Sequence, residues 1–397
     1  MTEKPLPRVL HIGKFLPPVP GGMESYLADL LRVFSERGLC VAALVHKRAG
    51  FGPPPVERVG RATIYSVPVV GDAMHVPIAP GFVAGLRAAI RDFAPTVLHL
   101  HAPNFAAFAV LLLPEARRLP IVVHWHADVE ARSIAPLARL FLPIYRLLER
   151  RVLGRAARVV ATSEAYLTAS PALQLFRRKS TVIPLFVDPQ RLAPNLAAPE
   201  NTMVGSITGG FTRVLAVGRI APYKGFEVLL QAVAKTPRVA LTLVGGGDGL
   251  SELQHLASTL RIESRVRFLG SIPDNELNLE FERADVFCMP SIDRSEAFGL
   301  VVLEAALHGI PSVASDIPGS GLPWLALNLG GILTHPADPD ALALALGRAV
   351  EQLTDSDTRT RVRVKAKILC QQWCDEGIEQ LMNVYVDCNR HSENKNS

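Results

Sequence analysis

Four charged side chains in the second half of the chain stand at spacings suited to holding an anion and a polyol. Arg219 and Lys224 lie five residues apart in GRIAPYKG, just past an apolar run that reads as a strand. A guanidinium offers a planar fork and an ammonium a point charge, so the two together can hold a diphosphate and neutralise it as it leaves. Two loop bases are also ordinary solvated residues. Glu296 and Glu304 bracket a helix start in EAFGLVVLEAALHG, with seven residues between them. Glu304 falls within VVLEAAL, where an unpaired carboxylate is costly, so it needs a polar partner: ribose hydroxyls on one reading, a buried ion pair on the other. Glu296 precedes the helix and either complements its dipole or accepts hydrogen bonds from sugar hydroxyls.

In the first half, Gly21 and Gly22 stand between an apolar run and an amphipathic one in PPVPGGMESYLADLL. Lacking a Cβ, they let backbone amides at a helix start approach a phosphate. A tight strand-to-helix turn explains them equally. His99, His101, His124 and His126 alternate on two short apolar runs, and alternate residues on a strand share a face. Such imidazoles suit either a metal or sheet packing with one or two lining a site, and packing is the simpler account. LVGGGDGLSEL is close to a dinucleotide fingerprint, but Leu250 stands where a third glycine belongs after Gly245 and Gly247. A phosphate or nucleotide-edge loop at Gly246 fits better. Asp355-Ser356-Asp357 has a manganese-binding spacing, yet it follows helical residues in a polar stretch and reads as a solvated turn. Cys370 and Cys374 lie four apart without further ligands nearby, which does not make a zinc site.

Groups of this kind need strand ends and helix starts to hold them, and the hydrophobic periodicity supplies both. PRVLHIG, MESYLADLLRVFSERG and LCVAALVHK read as strand, helix, strand. The pattern resumes with TVLHLH, a helix over FAAFAVLLLPEARR, then IVVHWHA, a long basic segment, ARVVATS and STVIPL. Alternation of this kind predicts a parallel sheet with right-handed crossovers. From Asp188 to Phe211, three prolines and three glycines without periodicity mark a linker. A second α/β series follows from RVLAVGRI to PSVAS and a closing helical region. The expected architecture is α/β, with Rossmann-like domains at 1–188 and 212–372 facing each other across a cleft, joined by 189–211, and with a helix over about 373–390 packing back on the first. Ligands in open α/β sheets bind outside the strand C-terminal ends.

The chain has 397 residues, beyond the roughly 250–300 at which one core stops growing. Its 49% hydrophobic and 20% charged residues exclude disordered and collagen-like classes. The net charge of +5 suits phosphate-bearing partners and is too small to indicate nucleic acid. Five scattered cysteines read as reduced thiols in the cytoplasm. The opening residues carry no signal-peptide pattern and no span of about 20 apolar residues occurs, so neither secretion nor membrane crossing is expected.

Between Arg132 and Arg158 there are seven arginines and one glutamate, Glu149. On an ideal helix Arg132, Arg139, Arg146 and Arg150 fall within about 40° of one another, a face that could rest on anionic lipid headgroups. Pro136 and Pro143 interrupt that helix, and a solvated basic flank is the competing account.

The ordered series GGMESYLADLL, HWHADVE, VATSEAYLTASPAL, VIPLFVD, GRIAPYKG, LVGGGDGLSEL, VRFLGSIPDNEL, ADVFCMPS and EAFGLVVLEAALHGIPSVASDIPGSG resembles family 4 glycosyltransferases of the GT-B fold. The similarity is strongest to bacterial transferases that build O-antigen, capsule or exopolysaccharide. The resemblance implies a retaining, metal-independent enzyme without a cofactor, taking a nucleotide-diphospho-sugar donor and a saccharide or lipid-linked saccharide acceptor, at the cytoplasmic face of the inner membrane. It implies that Gly22, beside Gly21, approaches the donor phosphate, that Arg219 and Lys224 hold the diphosphate, and that Glu296 contacts the transferred sugar. Glu304 would hold the ribose, and the backbone of Phe298, Gly299, Leu300 and Val301 would meet sugar and phosphates. His126 matches a histidine close to the donor sugar, and backbone groups near Ser271 and Ile272 would read the base. A nucleotide-sugar epimerase of the same fold, or a non-catalytic nucleotide-sugar-binding partner, remains as the alternative.

Overall fold

The computed structural model describes residues 6–48, 56–73, 76–130, 136–188, 191 and 210–396. The chain divides into two compact units, Met1–Leu185 with Trp373–Ser397, and Phe186–Gln372. Apart from Arg191, Gly210 and Phe211, the stretch expected to be a linker lies outside the described residues.

The first unit is built on an eight-stranded sheet. Its strands are β1 (Arg8–Ile12), β2 (Cys40–Lys47), β3 (Val56–Val59), β4 (Ala62–Pro68), β7 (Val97–Ala102), β8 (Ile121–Trp125), β9 (Arg158–Ala161) and β10 (Ser180–Val182). A separate ribbon pairs β5 (Gly71–Ala73) with β6 (Val76–Ile78). The order is β10-β9-β8-β7-β1-β2-β4-β3, parallel throughout except where β3 runs antiparallel to β4. Strands such as RVLHI and IVVHW are buried almost end to end, as a sheet covered on both faces requires. Helix α1 (Gly22–Glu36) covers one face with Tyr26, Leu27, Leu30, Leu31 and Phe34, all within 1% of full burial. Their spacing is that of a single helical stripe, and each such side chain contributes about 1.5–3 kcal/mol.

Two segments depart from the sequence reading. FAAFAVLLLPEARR forms a 3₁₀ turn at Phe105–Leu111 and a one-turn helix at Pro114–Arg117. Pro114 has no N–H to continue the turn before it and instead begins a new one. The β3–β4 hairpin, closed by Gly60 at φ 59°, was not foreseen. The basic segment becomes a 3₁₀ stretch at Pro136–Phe141 followed by α2 (Leu142–Arg155).

The second unit has six parallel strands: β11 (Thr212–Val217), β12 (Val239–Val244), β13 (Val266–Gly270), β14 (Val286–Met289), β15 (Ser312–Ser315) and β16 (Ile332–Thr334). Their order, β13-β12-β11-β14-β15-β16, is 3-2-1-4-5-6 counted within the unit, that of dinucleotide-binding Rossmann sheets. The core joins Val214, Leu241, Leu243, Val286 and Val313 of the strands to Leu229, Leu230 and Val233 of α3 (Phe226–Lys235). A short helix, α4 (Leu300–Leu307), follows β14.

The last helix, α5 (Ser356–Asn396), runs 41 residues and is the part of the chain that both units share. Asp355 begins it: its Oδ1 accepts from Thr358 N at 2.8 Å and its Oδ2 from the Thr358 hydroxyl at 2.6 Å. The Asp-Ser-Asp turn is therefore a helix cap. No helix among the described residues is long and apolar enough to cross a membrane.

Candidate functional site

In a 3-2-1-4-5-6 sheet the first and fourth strands send their connections to opposite sides, leaving a crevice at their C-terminal ends. Here those strands are β11 and β14, and their loops carry the predicted side chains. Lys224 Nζ donates to Glu296 Oε2 at 2.6 Å, with both side chains 11% exposed. Ser291 Oγ lies 3.4 Å from the same carboxylate oxygen. Burial opposes the charge on Lys224, but the neighbouring Glu296 carboxylate outweighs it and the pKa is raised. Lys224 is thus held as a cation. Arg219 is exposed beside them, with no charged partner among the described residues, and its charge works against that of Lys224.

The backbone fixes these loops tightly. Gly225 has φ 68°, and a Cβ there would stand 2.1 Å from Pro290 O, while Ile292 N donates to Tyr223 O at 2.8 Å. The β11 loop therefore lies directly against the β14 loop. Glu296 O accepts from Ser320 Oγ at 2.5 Å, and Ala297 O from Gly321 N at 2.7 Å. Gly299, at φ 82°, opens α4 where a Cβ would meet Leu322 Cδ1 at 2.5 Å. Phe298 and Leu300 are buried on either side of it and Val301 is half-buried.

Glu304 has a protein partner that sequence reasoning did not name. Its Oε1 accepts from Arg191 Nη2 at 2.7 Å, which realises the ion-pair alternative. The three glycines after β12 also have a packing reason. A Cβ on Gly245 would stand 1.8 Å from Gly218 O and one on Gly247 2.4 Å from Ile220 O, while Ile220 N donates to Gly246 O at 2.9 Å. A Cβ on Gly246 would meet Ser271 Oγ at 2.5 Å, which places Gly246 next to the Ser271–Ile272 turn.

In the first unit, Gly21 precedes α1 and a Cβ on it would lie 2.1 Å from Glu24 Oε2. Glu24 thus folds its carboxylate back over the helix start, where the dipole favours a negative charge. A Cβ on Gly22 would meet nothing within 4 Å. His126 is buried just past β8, its N donating to Ala102 O at 2.8 Å and its Nε2 3.0 Å from His101 Nδ1. Asp128 clamps the loop that follows: its Oδ1 accepts from Trp125 Nε1 at 3.0 Å and Ser170 Oγ at 2.7 Å. His11 on β1 joins the four expected histidines on one face. The sequence reading did not single out His11, since only the strand order brings it beside them.

The basic segment differs from the expected arginine face. Arg132 lies outside the described residues, and Arg146 turns inward to Glu149 at 2.8 Å and to Val129 O at 2.8 Å. The outer surface carries Leu140, Phe141, Ile144 and Leu147, each more than half exposed, with Arg139, Arg150 and Arg151 also exposed. All five cysteines are free thiols, and Cys370 donates to Val187 O.

Two Rossmann-like units, the second with an ion pair at its switch point, define a GT-B protein. Residues 20–191 match the family model described as Glycosyltransferase Family 4, and residues 203–368 match the one described as Glycosyl transferases group 1. A GDP-mannose-dependent alpha-(1-6)-phosphatidylinositol monomannoside mannosyltransferase of Mycolicibacterium smegmatis is 33% identical over 85% of this chain and 88% of its own. The O-antigen chain mannosyltransferase C of Escherichia coli is 26% identical over 96% and 98%. The chain belongs to glycosyltransferase family 4 and is a glycosyltransferase. Among solved structures, sucrose-phosphate synthase of Thermosynechococcus elongatus has a TM-score of 0.70 at 22% identity, covering 96% of this chain and 98% of its own. HepE of Anabaena, solved with UDP and glucose, has 0.69 at 21%, covering 96% and 100%.

Proposed function

We propose that this glycosyltransferase is retaining and metal-independent, and that it moves a hexose-type sugar from a nucleotide-diphospho-sugar to a lipid-linked saccharide. The observation that carries the reading is the buried Lys224–Glu296 pair at the β11–β14 switch point, with Arg219 exposed beside it. Arg219 and Lys224 hold the diphosphate and balance the charge that develops on it as the glycosidic bond breaks, work that a divalent cation does elsewhere. Glu296, oriented by Lys224 and by Ser320 on its backbone, accepts from hydroxyls of the transferred sugar. Glu304 holds the ribose together with Arg191, the turn Phe298–Val301 offers backbone groups to the sugar and phosphates, and Gly246 and Ile272 border the base. Within the first unit, Gly21, Gly22 and His126 are the residues assigned to the donor. A leaving diphosphate that stays on the face the acceptor enters favours retention.

The relatives' names favour mannose as the sugar and a glycolipid as acceptor. The exposed Leu140, Phe141, Ile144 and Leu147 with nearby arginines favour peripheral contact with an anionic membrane on its cytoplasmic face. An epimerase or a non-catalytic binding partner would not release nucleoside diphosphate only when acceptor is supplied. GDP-mannose and UDP-glucose are therefore incubated with the protein in excess EDTA, with and without a bacterial glycolipid extract, and nucleoside diphosphate is measured. We expect release only with acceptor, undiminished by EDTA, and a product with the donor's anomeric configuration. Activity lost to EDTA and restored by manganese overturns metal independence; release without a glycosylated product overturns the transferase reading.

A further inference from the structure

On one face of the first sheet five imidazoles stand together: His11 on β1, His99 and His101 on β7, His124 on β8 and His126 just beyond it. The register puts them there, with His11 opposite His99 and His101 opposite His124. Burial lowers the pKa of every one, to about 3 for His11 and His126 and well below the ordinary value for the other three, whose mutual repulsion as cations adds to the effect. All five rings are therefore neutral at pH 7. A neutral imidazole has one donor nitrogen and one acceptor nitrogen.

Three of the rings stand in series. His11 Nδ1 is 3.2 Å from His101 Nε2, and His101 Nδ1 is 3.0 Å from His126 Nε2. His101 cannot donate from both nitrogens or accept at both, so the two hydrogen bonds must run in one direction. Two arrangements remain. In one, His101 Nδ1–H donates to His126 Nε2 and the proton of His126 sits on Nδ1. In the other, His126 Nε2–H donates to His101 and Nδ1 is a bare acceptor. Each arrangement gives His126 a different tautomer, and the hydrogen bond it shares with His101 sets which. Its Nδ1 is buried without a hydrogen-bond partner, as are both nitrogens of His124 and the Nε2 atoms of His11 and His99. The His101 and His126 rings lie within 17° of parallel with centroids 5.3 Å apart, so their nitrogens meet end-on. Within the series the facing nitrogens are taken up by each other, although nitrogens of His101, His124 and His126 also lie within 4.8 Å of one another.

We propose that His101, backed by His11, is a positioning residue that fixes the ring plane and tautomer of His126, and so decides whether Nδ1 meets the donor sugar as hydrogen-bond donor or acceptor. This rests on the reading that places His126 at the donor sugar. The same alignment explains why a strand that only needed apolar cover carries polar rings: a hydrocarbon at position 101 would pack but could not select a tautomer.

Long-range ¹H–¹⁵N spectra of the imidazoles in the full-length protein test it, with His126 assigned by the signals lost in His126→Asn. We expect a single His126 tautomer from pH 5 to 8 in the wild type. His101→Phe should release it into a tautomer mixture and lower kcat about ten- to hundredfold, the range for a group misplaced by a fraction of an ångström. Affinity for GDP and UDP should stay within about twofold, because His101 is not among the residues assigned to the diphosphate. Should His101→Phe not fold, His101→Asn and His101→Gln decide: the asparagine amide reaches the place of Nδ1 and should keep tautomer and turnover, whereas the glutamine reaches that of Nε2 and should lose both. An exchanging His126 in the wild type, or one whose tautomer ignores all three substitutions, overturns the proposal. A fixed tautomer combined with full turnover in His126→Asn upholds the positioning but removes His126 from the donor site.

Discussion

Lys224 and Glu296 neutralise each other in the structure, and such a pair adds little net stability because both charges had to be desolvated. Its value lies in orientation. Substitutions should therefore separate binding from chemistry. Lys224→Ala removes a donor aimed at developing charge and should cost about 3 kcal/mol of transition-state stabilisation, while also leaving Glu296 buried and unpaired. Glu296→Gln keeps the shape and should lower kcat with little effect on GDP or UDP binding. Glu304→Gln still accepts from Arg191 and touches a part of the donor that does not react, so it should mainly raise the donor KM. Calorimetry with the free nucleoside diphosphates beside steady-state kinetics distinguishes these outcomes; loss of that binding in Glu296→Gln but not in Glu304→Gln would reverse the two roles. The residue types and their order were legible in the sequence. Their partners were not, since Ser320 stands 24 residues from Glu296 and Arg191 stands 113 from Glu304. Nothing in local spacing signals a contact that only the folded sheet creates.

The elements that hold these residues depend on two left-handed glycines that differ in what surrounds them. At Gly225 a Cβ would strike the carbonyl oxygen of Pro290, part of the neighbouring loop's backbone, whereas at Gly299 it would strike the methyl end of Leu322. Either alanine pays about 1–2 kcal/mol for its backbone conformation. Leu322 can turn aside, but a backbone oxygen moves only if its loop moves. Gly225→Ala should therefore lower the melting temperature more than Gly299→Ala and should also impair turnover, because the displaced loop carries Glu296. Equal melting temperatures would show that the β14 loop yields freely. Periodicity made the strands of both units legible, since buried parallel strands are short apolar runs. It failed at the Phe105–Leu111 turn, where a continuous apolar run satisfies a helix and a 3₁₀ turn alike until Pro114 is weighed. It failed again at the β3–β4 hairpin, whose strands are only four and seven residues long.

At the scale of the whole molecule, the first unit is completed by residues made last. Trp373, Ile378, Leu381 and Tyr385 of α5 are between 0% and 6% exposed, Tyr385 lies against Phe34, and its hydroxyl is 2.6 Å from His99 Nδ1. At about 1.5–3 kcal/mol each, these four side chains supply roughly 6–12 kcal/mol, as much as the net stability of an ordinary domain. A chain ending at Gln372 loses all of it, and Tyr385 with it, from the face where the histidines stand. The second unit keeps its share of α5: Val362 and Ala366 remain buried, and Arg359 Nη1 still donates to Ala284 O at 2.8 Å. Truncation should therefore unfold one unit and spare the other. Limited proteolysis should then digest residues before about 186 while a fragment near 210–372 resists, and heating should show one transition lost or moved far down with the other preserved. If both units of the truncated chain resist protease as the full chain does, the first sheet carries its own stability and α5 merely lies upon it.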